Sequence, residues 1–273
     1  MHRDYRMKLK SLGLKSDLIF FEHYNSAIVE YKKDYIVVRT PDNPSYFWGN
    51  FLIYYQGPKD GDLEKWTMDF HKEFSSDPNI KHVAITWDID NNYSSNEIEH
   101  FTDSGFKYEE STILAAENTL HIQHRNDDFI YKCIDSEEEW KQVINLQVLV
   151  NSGTHKENEY RPFVQKRFNQ YRRLVKTGLG NWFGAFREGC LAADLGLFCS
   201  EGTGRFQAVE TRGEFRKRGI AQSLMNYAAE NMSCRTLVIE ADEDGPAINM
   251  YKSIGFKIRE KISEICLYGR SKR

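Results

Sequence analysis

Residues 207–221 read Gln207-Ala208-Val209-Glu210-Thr211-Arg212-Gly213-Glu214-Phe215-Arg216-Lys217-Arg218-Gly219-Ile220-Ala221. The pattern predicts a strand ending near Thr211, a basic turn, and a helix opening at Gly219 or Ile220 with Leu224, Met225 and Ala228 on one face. Backbone N–H groups in the first turn of a helix lack intrahelical partners and point outward, so they suit phosphate oxygens. Gly219 lets that backbone approach a ligand with no Cβ between them. Arg216, Lys217 and Arg218 oppose the helix dipole there, at up to ~1 kcal/mol each. An anion in the turn would remove that cost. Without a ligand the same residues form a solvated basic turn.

Outward from this stretch, Phe206 to Thr211 reads as strand, Ile220 to Met232 as helix, Thr236 to Ala241 as strand, Gly245 to Ile254 as helix and Phe256 to Tyr268 as strand. The first half repeats the order: strand Phe47 to Tyr55, helix Asp62 to Phe74, strand His82 to Trp87, helix Asn96 to Ser104, strand Phe106 to Ala116. Ile98, Phe101, Gly105, Phe106 and Lys107 match Ile248, Tyr251, Gly255, Phe256 and Lys257 at one spacing of 150 residues, a sign of duplicated architecture. The second half adds a strand from Asp128 to Ile134. A helix from Ser136 to Leu149 follows, announced by Ser136-Glu137-Glu138-Glu139. The polar run Arg125-Asn126-Asp127-Asp128 is the expected domain boundary, giving units 1–125 and 126–273. The fold class expected is mixed α+β, two tandem domains.

The chain of 273 residues is 40% hydrophobic and 28% charged, which excludes fibrous and disordered classes. No apolar run approaches the roughly 20 residues of a membrane-spanning helix, and the segment after His2, Arg3, Lys8 and Lys10 lacks a signal-peptide pattern. A cytoplasmic protein is expected. The halves carry net charges of −6 and +3, too little basic excess for nucleic acid but enough to favour the second as host of an anionic ligand. Cys133, Cys190, Cys199, Cys234 and Cys266 show no C-x-x-C spacing and read as small hydrophobes. All eight histidines lie at or before His155, and His121 and His124 have no adjacent ligand-type residue, so no metal is expected.

Arg216, Gly219 and Ala221 fill the pattern [QR]-x-x-G-x-[GA], and Tyr251-Lys252-Ser253-Ile254-Gly255-Phe256 places a tyrosine four residues ahead of Gly-Phe. In both respects the sequence resembles the GCN5-related N-acetyltransferases. The resemblance implies two tandem domains of that type, each a central mixed, mostly antiparallel sheet flanked by helices. It implies acetyl-CoA as co-substrate, its pyrophosphate on the amides of Lys217, Arg218, Gly219, Ile220 and Ala221 beside Arg216. Its pantetheine arm would lie along Val209 and Thr211, and Tyr251 would serve the leaving thiolate. A phenol, with an ordinary pKa of about 10, can protonate or stabilise a thiolate as it departs. As base for the amine, Glu210 and Glu240 are the candidates, with Asp242, Glu243 and Asp244 behind them.

The first half resembles a degenerate copy. Its loop Gln56-Gly57-Pro58-Lys59-Asp60-Gly61-Asp62 loses a donor at Pro58 and sets Asp60 and Asp62 where they repel phosphate, and Phe101 replaces Tyr251. It is expected not to bind coenzyme A. The aromatic stretch Tyr46-Phe47-Trp48, within Thr40 to Asn50, suits either a domain interface, the preferred reading, or an acceptor pocket. This stretch also resembles tandem acetyltransferase-like proteins of bacteria. The basic run Lys156 to Lys176 reads as an amphipathic helix with a charged face, or else as the site of an acidic acceptor. The activity implied is acetyl transfer to a primary amine of a small molecule or peptide, by direct attack in a ternary complex. The alternatives are a non-catalytic acyl-CoA sensor and another paired-domain acyltransferase, mycothiol-synthase-like or aminoacyl-transferring. A homodimer is left open; neither nucleic acid nor membrane is expected as a partner.

Overall fold

The computed structural model describes residues 9–90, 93–153 and 156–268; the basic residues His2, Arg3 and Lys8, and His155, lie outside them. In chain order the helices are α1 (Leu12–Glu22), α2 (Asp62–Phe74), α3 (Ser95–Asp103), α4 (Glu137–Val150), α5 (Glu157–Lys176), α6 (Ile220–Glu230) and α7 (Ala247–Ser253). The strands are β1 (Ile28–Tyr31), β2 (Tyr35–Arg39), β3 (Phe51–Tyr54), β4 (Val83–Trp87), β5 (Lys107–Glu117), β6 (Ile130–Cys133), β7 (Gly180–Arg187), β8 (Cys190–Ser200), β9 (Thr203–Thr211), β10 (Thr236–Ala241) and β11 (Lys257–Leu267). The two expected runs are both present, as β3-α2-β4-α3-β5 and β9-α6-β10-α7-β11. No helix among the described residues is long and apolar enough to cross a membrane.

The chain forms two compact units: residues 1–112 with 260–273, and residues 113–259. This division differs from the polar segment at Arg125–Asp128, which lies inside the second unit. Asn126 is not a linker residue there: its side-chain amide donates to the Arg218 carbonyl at 2.8 Å and its N–H to Ser223 Oγ at 3.0 Å. The end of β11 returns to the first unit.

In the first unit β1, β2 and β3 pair antiparallel, β3 and β4 run parallel, and the Glu264–Leu267 stretch of β11 pairs antiparallel with β4. All five residues of β4 are buried, as its unbroken apolar run requires for an interior strand. Trp66 of α2 centres this core, stacked on Tyr54 with ring centroids 4.1 Å apart. The expected strand from Phe47 begins only at Phe51, because Phe47–Gly49 form a single 3-10 turn. Asn50 pins that turn: its Oδ1 accepts the Thr40 N–H at 3.0 Å and its Nδ2 donates to the carbonyls of Asn43 and Tyr46. Phe47 stacks on His82 within the same unit, centroids 4.0 Å apart.

In the second unit the order is β5-β10-β9-β8-β7-β6, with β9 and β10 parallel and β9-β8-β7-β6 antiparallel. Each unit is thus a mixed, mostly antiparallel sheet with helices. Helix α4 opens with a reciprocal cap in which Ser136 and Glu139 satisfy each other's backbone N–H groups, the arrangement its sequence announces. Helix α6 buries Ile220, Leu224, Met225 and Ala228, the expected stripe. At roughly 1.5–3 kcal/mol per fully buried large apolar side chain, that face supplies most of what holds the helix in place.

Candidate active site

Strands β9 and β10 hold together only over Thr203–Arg205 against Thr236–Val238. Beyond that they part. The cause lies on the other edge of β9, where the register with β8 slips: Asp194 faces Glu210, yet Gly196 faces Gln207, so β9 carries one extra residue. Ala208 takes φ +49° at this bulge, a conformation that is uncommon for a residue with a Cβ. A bulge adds twist and bends its strand, which turns the end of β9 away from β10. The resulting cleft holds about 250 Å³ and is lined by Arg205 to Val209, Ile239, Glu240 and Tyr251.

Past the cleft, β9 runs into the basic loop from Arg212 to Gly219. Arg212 anchors it, donating through Nε to the Leu191 carbonyl at 2.6 Å and through its backbone N–H to Ala192. Arg216 Nε donates to the Thr211 carbonyl at 3.1 Å, while the side chains of Arg216, Lys217 and Arg218 are exposed. Lys217 (φ +60°) and Gly219 (φ +71°) both adopt left-handed conformations, the second as N-cap of α6. A Cβ built on Gly219 would meet nothing within 4 Å, so open space lies above the helix start. Asn126 supports the loop from behind through Arg218 and Ser223. The donor set fits an oligophosphate: free first-turn amides, an open glycine and three cations.

Tyr251 of α7 packs its ring on Phe256, is almost wholly buried and lines the cleft. Burial first, and then the charge of Glu210, push its pKa up, so it is a proton donor across the neutral range. Glu210 is itself raised by burial, opposed by Arg216. Glu240 is engaged differently: its carboxylate binds Arg205, a guanidinium only 3% exposed. The expected site residues therefore separate into Tyr251, Glu210, Val209, Thr211 and Arg216 to Ala221, gathered along one strand end, and Glu240, held in an ion pair across the cleft. Asp242, Glu243 and Asp244 are exposed in the turn after β10.

The first unit differs at the corresponding points. Its β3 and β4 stay paired to Tyr54 and Trp87, and the Asp88 N–H extends the ladder to the Tyr54 carbonyl at 2.8 Å. The start of α2 is filled by the chain itself. Buried Glu97 of α3 accepts the Leu63 N–H at 2.6 Å and the Gly61 N–H at 3.1 Å. A carboxylate thus sits where a helix N-terminus would otherwise attract a foreign anion. In α5 two of the cations are engaged locally: Arg161 with Glu157 and Asn145, Arg172 with Glu137 and over the Trp140 ring.

Sequence reading missed Asn126, Gln147 and Asp194. Asp194 had a signal, an acid inside the apolar run Leu191-Ala192-Ala193-Asp194-Leu195. The two amides had none, since their role depends on backbone groups far away in sequence.

Residues 183–264 match the family model described as FR47-like protein. No curated protein matches the sequence. Among solved structures, a functionally unknown conserved protein from Staphylococcus epidermidis superposes with a TM-score of 0.74 at 13% identity, covering 97% of this chain and 100% of that one. A GCN5-related N-acetyltransferase from Kribbella flavida gives 0.63 at 14% identity, covering 98% and 95%. A tandem GNAT protein from the clavulanic acid biosynthesis pathway gives 0.57 at 12%, covering 95% and 89%. At these identities the likeness is one of fold. The chain carries an FR47-like segment at residues 183–264 and has the fold of the GCN5-related N-acetyltransferases.

Proposed function

We propose that the protein transfers an acetyl group from acetyl-CoA to a primary amine, using the second unit, residues 113–259. The observation that carries this reading is the cleft where β9 leaves β10, with Tyr251 at its wall and the open, glycine-capped start of α6 at its end. The amides from Lys217 to Ala221, with Arg216, Lys217 and Arg218 around them, would take the pyrophosphate. The exposed backbone edge of β9 at Val209 and Thr211 would take the amide-bearing arm in the manner of an added strand.

In the reaction the amine lone pair attacks the thioester carbonyl carbon, a C–N bond forms and the C–S bond breaks. The Tyr251 hydroxyl gives its proton to the departing thiolate. Glu210 takes the proton lost by the amine, directly or through one water. Glu210 is preferred over Glu240 because burial raises its basicity, whereas Glu240 is committed to Arg205. Solvent then restores both groups. The first unit would bind no coenzyme A, since its strands do not part and Glu97 fills its helix start.

Calorimetric titration of the protein with acetyl-CoA, beside an Arg216→Glu variant, tests the reading. One site per chain, weakened in the variant, is expected. Two sites would overturn the assignment of the first unit, and no binding by folded protein would overturn the function.

A further inference from the structure

Four acids are buried among the described residues: Glu73, Asp88, Glu97 and Asp194. Three have clear tasks. Glu73 binds Lys32, Arg39 and Tyr35; Asp88 accepts the N–H groups of Lys10, Ser11 and Ile89; Glu97 caps α2. Asp194 of β8 is 0% exposed, its Oδ2 lacks a hydrogen-bond partner, and its Oδ1 accepts a single hydrogen bond, from Gln147 Nε2 at 2.7 Å. An acid wholly out of water, with the Glu210 carboxylate opposite it on β9 and only the neutral Gln147 and Trp182 side chains to favour its charge, is costly to keep.

The other N–H of that same amide explains its place. Gln147 Nε2 also lies 3.4 Å from the Ala208 carbonyl, at the bulge residue with positive φ. A side-chain amide has two N–H bonds on one nitrogen, so one can be held by an acceptor while the other is aimed at a second. Gln147 is itself nearly buried on α4, which packs over β8 and β9. Without Asp194, nothing polar on β8 would hold that amide flat against the sheet.

We propose that Asp194 is a positioning residue that, through Gln147, fixes the Ala208 bulge and so holds open the cleft between β9 and β10. Its consequence for catalysis rests on the acetyltransferase reading. The bulge sets the direction of Val209, Glu210 and Thr211, which are the arm-binding edge and the base in that reading. The link runs through three elements, α4, β8 and β9, and needs no contact between Asp194 and substrate.

The test is amide hydrogen exchange on the full chain without ligand, in Gln147→Leu, Asp194→Leu, Asp194→Asn and, as control, Val143→Ala. Val143 is a fully buried residue of the same helix α4 with no polar role. Asparagine keeps an oxygen that accepts from Gln147, so Asp194→Asn should preserve exchange over residues 207–211 within about threefold. Gln147→Leu should speed it by about tenfold or more, beyond Val143→Ala compared at equal global stability. Asp194→Leu should match Gln147→Leu; should it fail to fold, Gln147→Leu and Asp194→Asn still decide. Acetyl-CoA affinity should fall about tenfold in Gln147→Leu and stay unchanged in Val143→Ala. Exchange over 207–211 that is unaltered in Gln147→Leu, or no greater than in the control, overturns the proposal. Failure of the parent protein to bind acetyl-CoA would overturn the acetyltransferase reading while leaving the exchange result to judge the bulge.

Discussion

Replacing Tyr251 by phenylalanine removes one oxygen from the cleft and leaves the rest of the site in place. The ring keeps its packing against Phe256, and the hydroxyl makes no hydrogen bond to a described residue, so stability should change by less than about 1 kcal/mol. Acetyl-CoA affinity should hold within about threefold, because the phosphate-facing groups lie past Thr211, in the loop and at the start of α6, and the substitution leaves them untouched. Turnover is different. A positioned general acid contributes about 10²–10⁴ in rate. At 1.36 kcal/mol per decade that is about 2.7–5.4 kcal/mol of barrier. The assay is acetyl-CoA-dependent thiol release against a panel of primary amines, with affinity and melting temperature measured on the same preparations. Turnover in Tyr251→Phe within threefold of the parent would refute the argument. So would a loss carried entirely by acetyl-CoA affinity, which would make the phenol a binding group rather than an acid.

Four further outcomes are expected. Glu210→Gln should abolish the acid limb of the kcat/KM profile; in the parent, activity should fall tenfold per pH unit below a pKa that burial sets above the usual glutamate value, and a parent profile flat down to pH 4 would count against Glu210 as base. Glu97→Ala strips the Gly61 and Leu63 amides of their acceptor and should cost about 3 kcal/mol in urea unfolding with acetyl-CoA affinity unchanged; a cost below about 1 kcal/mol would show the cap to be idle. Burial raises the Asp194 pKa well above its unfolded value, so its folded state holds the proton longer: relative to Asp194→Asn, parent stability is greatest below about pH 4 and should decline by about 1.4 kcal/mol per pH unit until the folded pKa is passed. Parallel profiles for the two proteins from pH 4 to 7 would refute that. Gly219→Ala meets no steric neighbour, so its cost of about 1 kcal/mol in denaturation comes from the backbone at φ +71°, and calorimetry should show weaker acetyl-CoA binding; unaltered affinity would remove Gly219 from the site.

Much of the fold could be read from periodicity. Asp62–Phe74 and Thr236–Ala241 are observed at their expected bounds, and α6 and α7 fall within a few residues of theirs. In all four, apolar spacing and turn residues agree. Residues 180–200 were harder: β7 and β8 are buried nearly throughout, so their sequences show no alternation to mark a strand. The phosphate-type loop was legible because its requirements are local, a glycine at the cap and cations before it. The cleft was not, because it depends on a one-residue slip between β8 and β9 and on an amide from α4, which no local pattern encodes. What separates Glu210 from Glu240 is likewise a partner distant in sequence, Arg205, which holds Glu240 across β9 and β10.

Strand β11 starts in the second unit and ends in the first, where its Glu264–Leu267 stretch covers an edge of β4. On the ribosome this order has a cost in time. Thr86 emerges early, but its partner Glu264 is translated only after the whole second unit, and at roughly 5–20 residues per second the wait is on the order of ten seconds or more. During it, β4 presents an apolar strand with one side unpaired, the situation that invites pairing with a neighbouring chain. A fragment ending at residue 125 would stay in that condition permanently, so yield during synthesis, more than stability once folded, is where truncation or slowed translation should tell first.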